Sequence, residues 1–413
     1  MKNGVAIIIL AILFSSPCFA QRMIKGIVVN KASSEPIAGG SVFISNTSKG
    51  TVTDKLGAFE LNDIPVGKYD LVVSSVGYET SVYSFSTEEL PLKLRFEMDV
   101  RVRELENVTV EASVEEGWDK WGLVFMDNFI GRTPNAEQCR IKNREAIHFR
   151  YYRKSNRIIA YSDEPLIIEN RSLGYRINYQ MENFEVNFSK GSSAFAGYPL
   201  FDDMDKNRRT PRSRWQKARD KAYYGSMMHF MRSVFSNSLN ADGFDVRRMH
   251  REPNLEKQRI KLLARTSNIL GSSGSIRITT GGSTANQPMD SSEYYQRILG
   301  QKDYLDTYGR DILPADSIIA EVQGSFKILY FPDYLYITYK KEMEDPSYLA
   351  FHREARKPMY QTSYIWLTNG NPIAIDANGS YFPPSEIFSM SYWAWSEKIA
   401  DLIPADFLPE GHD

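Results

Sequence analysis

One contiguous stretch, Ile24 to Tyr78, restricts the fold more than any other part of the chain. It reads IKGIVVNKASSEPIAGGSVFISNTSKGTVTDKLGAFELNDIPVGKYDLVVSSVGY. Short apolar runs alternate with turn residues at close spacing. Ile24, Gly26 and Val28 alternate with Lys25, Ile27 and Val29. Pro36 with Gly39-Gly40 marks a turn, and Ser41 to Ile44 reads as a strand. Thr51 to Asp54 leads to a turn at Leu56-Gly57, after which Phe59 and Leu61 share a face. Pro65-Val66-Gly67 turns into Tyr69, Leu71 and Val73. Ser81 to Phe85 and Leu92 to Met98 follow, and Leu105 to Val110 closes the series. About seven strands at this spacing predict a β-sandwich over 22–112.

Each special residue has a local reason. Gly57 and Gly67 suit turn positions with positive φ. Pro65 pre-sets a turn dihedral. Phe59, Leu61, Tyr69, Leu71 and Val73 fall at period two and supply a core face. The spacing Thr53-Asp54-x-x-Gly57-x-Phe59-x-Leu61, then Ile64-Pro65-x-Gly67-x-Tyr69-x-Leu71-x-Val73-Ser74-x-x-Gly77-Tyr78, resembles the carboxypeptidase regulatory-like domain. The resemblance implies a transthyretin-like sandwich and a structural role for these residues. Such modules follow the zinc peptidase domain of metallocarboxypeptidases. They also precede the plug and barrel of TonB-dependent transporters in Bacteroidota.

Ahead of this stretch, Lys2 precedes an apolar run from Val5 to Phe14, then Ser15-Ser16-Pro17-Cys18-Phe19-Ala20. A charged start, a short apolar core and small residues predict a signal peptide over 1–20, cleaved after Ala20. The run is shorter than the ~20 apolar residues a spanning helix needs. Cys18 lacks the aliphatic residue that a lipobox wants before it. Cleavage leaves one cysteine, Cys139, so no intrachain disulfide is expected and stability must come from packing. No His lies near Cys139 in sequence, and it is read as a small buried hydrophobe.

The chain holds 50 basic and 51 acidic residues, so no global field favours nucleic acid. Its hydrophobic fraction of 42% is that of a globular protein. Neither context of the resemblance fits the remainder. A zinc carboxypeptidase needs His-x-x-Glu, and His148, His229, His250 and His352 are followed at +3 by Tyr151, Arg232, Pro253 and Ala355. His412 ends the series of five histidines. His-Glu-x-x-His, Cys-x-x-Cys and Gly-x-Ser-x-Gly are absent from the sequence. A transporter barrel needs many ~10-residue amphipathic strands, and helical segments interrupt the region after Ala112. Asp203-x-Asp205-x-Asn207 starts like a calcium loop, but Arg208 stands at its sixth position and Arg214 at its twelfth. No catalytic, cofactor-binding or metal-ligating residue is assigned, and no cofactor is expected.

The region 113–413 reads as α+β, with mixed hairpins and a few helices. Glu111 to Gly117 is an acidic linker. Trp118 to Ile130 is an amphipathic helix presenting Trp118, Trp121, Phe125 and Phe129, and Gly131 stops it. Ala146 to Tyr152, Arg157 to Ile159, Leu166 to Glu169 and Tyr175 to Asn187 are strands. Thr210-Pro211 opens one long helix to about Leu239. Lys206, Arg208, Arg209, Arg212, Arg214, Lys217, Arg219 and Lys221 crowd its start, against the helix dipole. Two readings are open: an acidic partner such as lipid phosphate or polyanionic glycan, or a solvated face balanced by Asp202, Asp203, Asp205 and Asp220. A Ser/Gly/Thr-rich loop covers 271–292. Ile318 to Ile328 and Tyr334 to Lys340 are strands. Thr362 to Thr368 and Ile373 to Asp376 form a hairpin across Asn369-Gly370, and Asn378-Gly379 is a further turn. Tyr392-Trp393-Ala394-Trp395 begins a final helix ending near Ile403.

Three phrases resemble envelope proteins of Bacteroidota that carry the same module: Phe129-Ile130-Gly131-Arg132-Thr133, Leu173-Gly174-Tyr175, and Ala222-Tyr223-x-Gly225-Ser226-Met227-x-His229-Phe230. That resemblance implies a shared fold and no particular reaction. The sequence therefore predicts an exported, non-enzymatic cell-envelope protein, periplasmic or associated with the outer membrane. Its sandwich is an interaction module, and abundant Tyr and Trp suit a glycan or protein partner. No nucleic acid and no transmembrane segment in the mature chain are expected. The alternatives are an enzyme of another class, with His229 one helical turn from Ser226 and near Arg232, or an accessory subunit of a TonB-dependent transporter.

Overall fold

Period-two alternation in the first hundred residues builds two facing sheets. The computed structural model describes residues 22–101, 111–206, 213–266 and 290–410. The signal-like segment, the strand expected at Leu105 to Val110, the Thr210-Pro211 helix start and most of the 271–292 loop lie outside them. β1 (Ile24–Asn30) pairs antiparallel with β4 (Ala58–Leu61) and parallel with β7 (Leu92–Met98). β2 (Ser41–Ile44), β3 (Gly50–Val52), β5 (Lys68–Ser74) and β6 (Ser81–Ser86) form the second sheet, in order β3-β2-β5-β6. Phe59, Leu61, Tyr69, Leu71 and Val73 all enter the core between the sheets. Gly57 is left-handed at φ +71°, where a Cβ would sit 2.4 Å from the Val28 carbonyl oxygen. Gly67 also has a positive φ, +159°, and carries a second constraint. A Cβ there would meet Asp376 Oδ2 at 2.5 Å.

A seven-stranded antiparallel sheet follows. Its strands are β8 (Ser113–Glu116), β9 (Cys139–Ile141), β10 (Ile147–Tyr152), β11 (Arg157–Ser162), β12 (Leu166–Asn170), β13 (Tyr175–Asn187) and β14 (Ser192–Asp203). The acidic stretch expected as a linker is thus a strand. Val114 pairs with Tyr151 and Glu116 with Phe149, while Glu116 also accepts from Lys120 and Trp121. Helix α1 (Trp118–Phe129) lays Phe125 and Phe129 on this sheet, with the Phe125 and Phe184 rings 4.6 Å apart.

The single long helix expected from 210 to 239 is broken into three: α2 (Ser213–Tyr223), α3 (Met227–Phe235) and α4 (Leu239–Asp242). Gly225 adopts φ +79°, which ends one helix. Ser226 then caps the next by accepting from the His229 N–H. Beyond α4 run β15 (Phe244–Pro253), α5 (Leu255–Thr266), α6 (Asp290–Leu299) and β16 (Tyr304–Tyr308). α6 thereby takes up the end of the segment expected as a loop. The strand expected at 318–328 is a hairpin of β17 (Ile319–Gln323) and β18 (Phe326–Leu329), turned at Gly324 with φ +58°. The remaining elements are β19 (Tyr334–Met343), α7 (Pro346–His352), β20 (Tyr360–Leu367), β21 (Ile373–Ile375), β22 (Tyr381–Phe382), β23 (Ile387–Ser391) and α8 (Tyr392–Ser396). The last helix therefore stops well short of Ile403.

These strands make two sheets: β16-β15-β19-β20-β23 and β17-β18-β21-β22. The turn at Asn369-Gly370 exists, with Gly370 at φ +68°, but β20 and β21 do not pair. The chain crosses there from one sheet to the other, because β20 has partners on both edges. Asn378-Gly379 does close a hairpin, between β21 and β22.

The sandwich is joined to the rest by backbone contacts. Asn46 N–H donates to the Pro199 carbonyl at 2.7 Å, and Phe201 N–H donates to the Thr47 carbonyl at 3.0 Å. The Asn46 carbonyl accepts from Ala405 N–H at 2.7 Å. Ile399, Ile403 and Phe407, near the C-terminal end, fill the core of the seven-stranded sheet. No helix among the described residues is long and apolar enough to cross a membrane.

Candidate functional site

The inner face of the five-stranded sheet carries Leu335, Ile337, Ile365 and Leu367, which pack into its core. Alternation sends the neighbours of these residues to the opposite face. Those neighbours are aromatic: Tyr334 and Tyr336 on β19, Tyr364 and Trp366 on β20. Phe388 of β23 lies directly across from Trp366. Tyr304 and Tyr308 of β16 add two rings, 50% and 44% exposed. Five strands at ~4.8 Å spacing make this face about 19 Å wide.

The rings fall in two rows. Tyr308 reaches over β15 to Tyr336, with centroids 4.9 Å apart, and Tyr336 meets Tyr364 at 5.3 Å. Tyr334 meets Trp366 at 5.4 Å, and Trp366 meets Phe388 at 5.8 Å. Arg251 of β15 sits among the rings of Tyr304, Tyr334 and Tyr364, 5.4–5.7 Å from their centroids. It is held there by Asp306, its partner across the strand pair, through two hydrogen bonds of 2.6 and 2.9 Å. The Arg251 guanidinium keeps the Asp306 carboxyl below the ordinary carboxylate range. Burial pushes the Tyr364 hydroxyl up, and Tyr308 adds to it. The face thus offers flat apolar rings, phenol hydroxyls and one fixed charge pair. A large aromatic face of this kind suits a binding surface better than a solvated sheet.

None of these residues was singled out from the sequence. The usable signal was local: Tyr334-x-Tyr336 and Tyr364-x-Trp366 repeat aromatics at period two.

The residues that were singled out have other partners. The Ser226 hydroxyl accepts from the His229 backbone, not its ring. His229 Nδ1 accepts from Gly225 N–H at 3.1 Å, and the ring packs against Tyr223 and Phe244. Arg232 donates to the carbonyls of Asn378, Ala405 and Phe407. These three residues hold the break between α2 and α3 and the C-terminal segment. Cys139 is fully buried, and burial pushes its thiol up to about 12. Asp203 is bound by Arg219 at 2.9 and 3.0 Å. Burial alone would raise the Asp203 carboxyl, but those bonds leave it below its ordinary value. Arg208, Arg209 and Arg212 lie outside the described residues. Of the same basic set, Arg219 points inward and stacks on Tyr175. Among the described residues, no three His, Cys, Asp or Glu side chains group as a metal site.

The sandwich motif has a matching geometry. Asp54 Oδ1 accepts from the N–H groups of Leu56 and Ala58, both at 2.8 Å, and closes the turn that Gly57 completes. Residues 24–110 are a CarboxypepD_reg-like domain. The CarboxypepD_reg-like domain contributes none of the rings on the face of the five-stranded sheet, which all lie after residue 300.

No curated protein matches the chain. A type II cohesin–X–dockerin complex from Acetivibrio cellulolyticus is 26% identical over 19% of this chain and 57% of its own, with a TM-score of 0.17. A candidate carbohydrate-binding protein from Bacteroides uniformis is 11% identical over 45% of this chain and 80% of its own, with a TM-score of 0.15. A candidate membrane-associated protein of unknown function from Bacteroides fragilis is 9% identical over 86% of this chain and 93% of its own, with a TM-score of 0.16. Likeness at this level leaves function to the chain's own residues.

Proposed function

We propose that this is an exported cell-envelope protein that binds glycan, without a catalytic step, on the aromatic face of the five-stranded sheet. The observation that carries the reading is the double row of rings around the Arg251–Asp306 pair. The C–H faces of a sugar chain pack on such rings, while tyrosine hydroxyls and the charge pair hydrogen-bond its hydroxyls. The width of the face suits several sugar units and a weak contact at each. The CarboxypepD_reg-like domain is fastened to the seven-stranded sheet and the C-terminal segment, through Asn46 and Thr47. Export rests on the charged, apolar and small-residue pattern before Gln21.

Titration with soluble oligosaccharides, read by tryptophan fluorescence and calorimetry, tests the reading. Trp366→Ala is expected to weaken binding about tenfold, the equivalent of one stacked ring. An array on which no glycan binds, or equal binding by the variant, overturns it. N-terminal sequencing of protein recovered from the envelope is expected to begin at Gln21.

A further inference from the structure

Among the described residues, asparagine is followed by glycine twice: at Asn369-Gly370, where the chain leaves β20, and at Asn378-Gly379, in the hairpin between β21 and β22. This dipeptide carries its own chemistry. The glycine amide nitrogen is the least shielded nucleophile that a backbone offers, because no Cβ stands beside it. It lies next in the chain to an electrophile, the carbonyl carbon of the asparagine side chain. With the same dipeptide at both places, the fold decides which one reacts.

Asn378 is held on several sides. Its Nδ2 donates to the Tyr69 hydroxyl at 2.8 Å and to the Val66 carbonyl. Its N–H donates to Asp376 Oδ1 at 2.9 Å, and its carbonyl accepts from Arg232 at 3.0 Å. The Gly379 N–H, the group that would have to attack, is engaged with the Asp376 carbonyl at 3.1 Å. Gly379 is also buried, and a Cβ there would sit 2.5 Å from the Met228 carbonyl oxygen. The side chain cannot swing onto the next nitrogen without breaking this packing.

Asn369 stands in the open. Asn369, Gly370 and Asn371 are all exposed, and a Cβ on Gly370 would meet nothing within 4 Å. The Gly370 N–H reaches the Leu367 carbonyl only at 3.4 Å, a long bond. β20 ends at Leu367 and β21 begins at Ile373, so neither strand's ladder holds the turn. The amide has one partner group, the Glu386 carboxylate, at 3.0 and 3.3 Å on the surface.

We infer that Asn369 is a site of spontaneous covalent modification, by deamidation, and that the fold protects Asn378 from the same reaction. The Gly370 amide nitrogen attacks the side-chain carbonyl carbon of Asn369. A C–N bond forms, the bond to Nδ2 breaks, and ammonia leaves with the proton that the Gly370 nitrogen gave up. Water then opens the cyclic imide at one of its two carbonyls. One opening leaves aspartate, and the other moves the main chain onto the side-chain carbon. Either product sets a carboxylate where an amide donated to Glu386, and like charges repel. The Thr368 N–H bond to the Glu386 carbonyl, at 3.0 Å, ties the same two segments together. The reaction therefore loosens the end of β20 from the start of β23. The inference does not depend on the glycan reading.

The test incubates the full chain in warm, mildly alkaline buffer and follows both asparagines by peptide mapping and mass spectrometry. Asn369 is expected to convert at least about tenfold faster than Asn378, since each bond that must break at Asn378 adds ~1 kcal/mol to the barrier. In denaturant the two are expected to convert at similar rates. Asn369→Gln is expected to abolish the conversion at that position. Asn369→Asp, a stand-in for one product, is expected to speed hydrogen exchange at the Thr368 N–H. Equal rates at Asn369 and Asn378 in the native protein overturn the inference, and so does a preference that survives in denaturant.

Discussion

Ser48 and Asp406 stand 358 positions apart and are joined by two hydrogen bonds, from the Ser48 N–H at 3.0 Å and its hydroxyl at 2.5 Å. Together with the Asn46–Ala405 bond, they fasten the turn after β2 to the far end of the chain. Asp406→Ala is expected to cost about 1–2 kcal/mol, the loss of two part-exposed bonds. Calorimetry of the unmodified protein is expected to show the sandwich melting together with the seven-stranded sheet. A separately resolved sandwich transition would contradict that coupling.

Arg219 is a charge bound on several sides. It is 7% exposed, binds both oxygens of Asp203, donates to the carbonyls of Leu173 and Gly174, and lies 3.9 Å from the Tyr175 ring centroid. Arg219→Ala is expected to destabilise the protein by about 3–5 kcal/mol, since Asp203 and two carbonyls lose their partner. Arg219→Lys restores little, because an ammonium cannot reproduce the fork. Urea denaturation of both variants measures the difference.

Asp376 predicts a pH dependence. It is 2% exposed and faces Gly67 and Tyr69 of the sandwich. Burial pushes its carboxyl up to about 6, against the N–H groups of Ser380, Asn378 and Lys68 and the charge of Arg232. The unfolded chain releases this proton near pH ~4. Between those values the native state binds more protons, so the contribution of Asp376 to stability falls as pH rises from about 4 to about 6. Above that window it is constant. Asp376→Asn is expected to remove this part of the slope and to raise stability at neutral pH by about 1–3 kcal/mol. Denaturation curves across the window decide the matter, and an unchanged slope would sink it.

Cys139 is expected to be inert. A fully buried thiol pushed up to about 12 carries almost no thiolate at neutral pH. Iodoacetamide should label it only in denaturant. Rapid labelling of the native protein would contradict its placement.

The sequence was legible where structure is local. Tyr175 to Asn187 reads as a strand because Tyr175, Ile177 and Tyr179 alternate with polar residues, although the phase shifts at a bulge between Met181 and Asn183. The sandwich turns were readable because Asp54 and Gly57 act within a few residues of each other. β14 was missed because SSAFAGYPLFDD has weak strand propensity and is held by its pairing with β13. The break at Gly225 was missed because apolar periodicity continues through it, and one glycine decides the direction. The Asn369-Gly370 turn was read correctly as a turn, but its hairpin was not formed. Local turn chemistry cannot tell that β20 already has two partners. The aromatic face was half legible: each strand shows its own alternation, but the rows exist only once β16, β19, β20 and β23 are set in order.

Ile399, Ile403 and Phe407 complete a core whose other members begin at Phe125. During synthesis that core therefore has a gap until residues 399–407 have been made. Helix α1 covers part of its seven-stranded sheet from the start, but the rest of that face waits for Ile399, Ile403 and Phe407, and the sandwich waits for Ala405 and Asp406. The strands of that core are therefore made long before it can close, and a polypeptide released before residue 399 would leave a sticky sheet for chaperones and proteases to find.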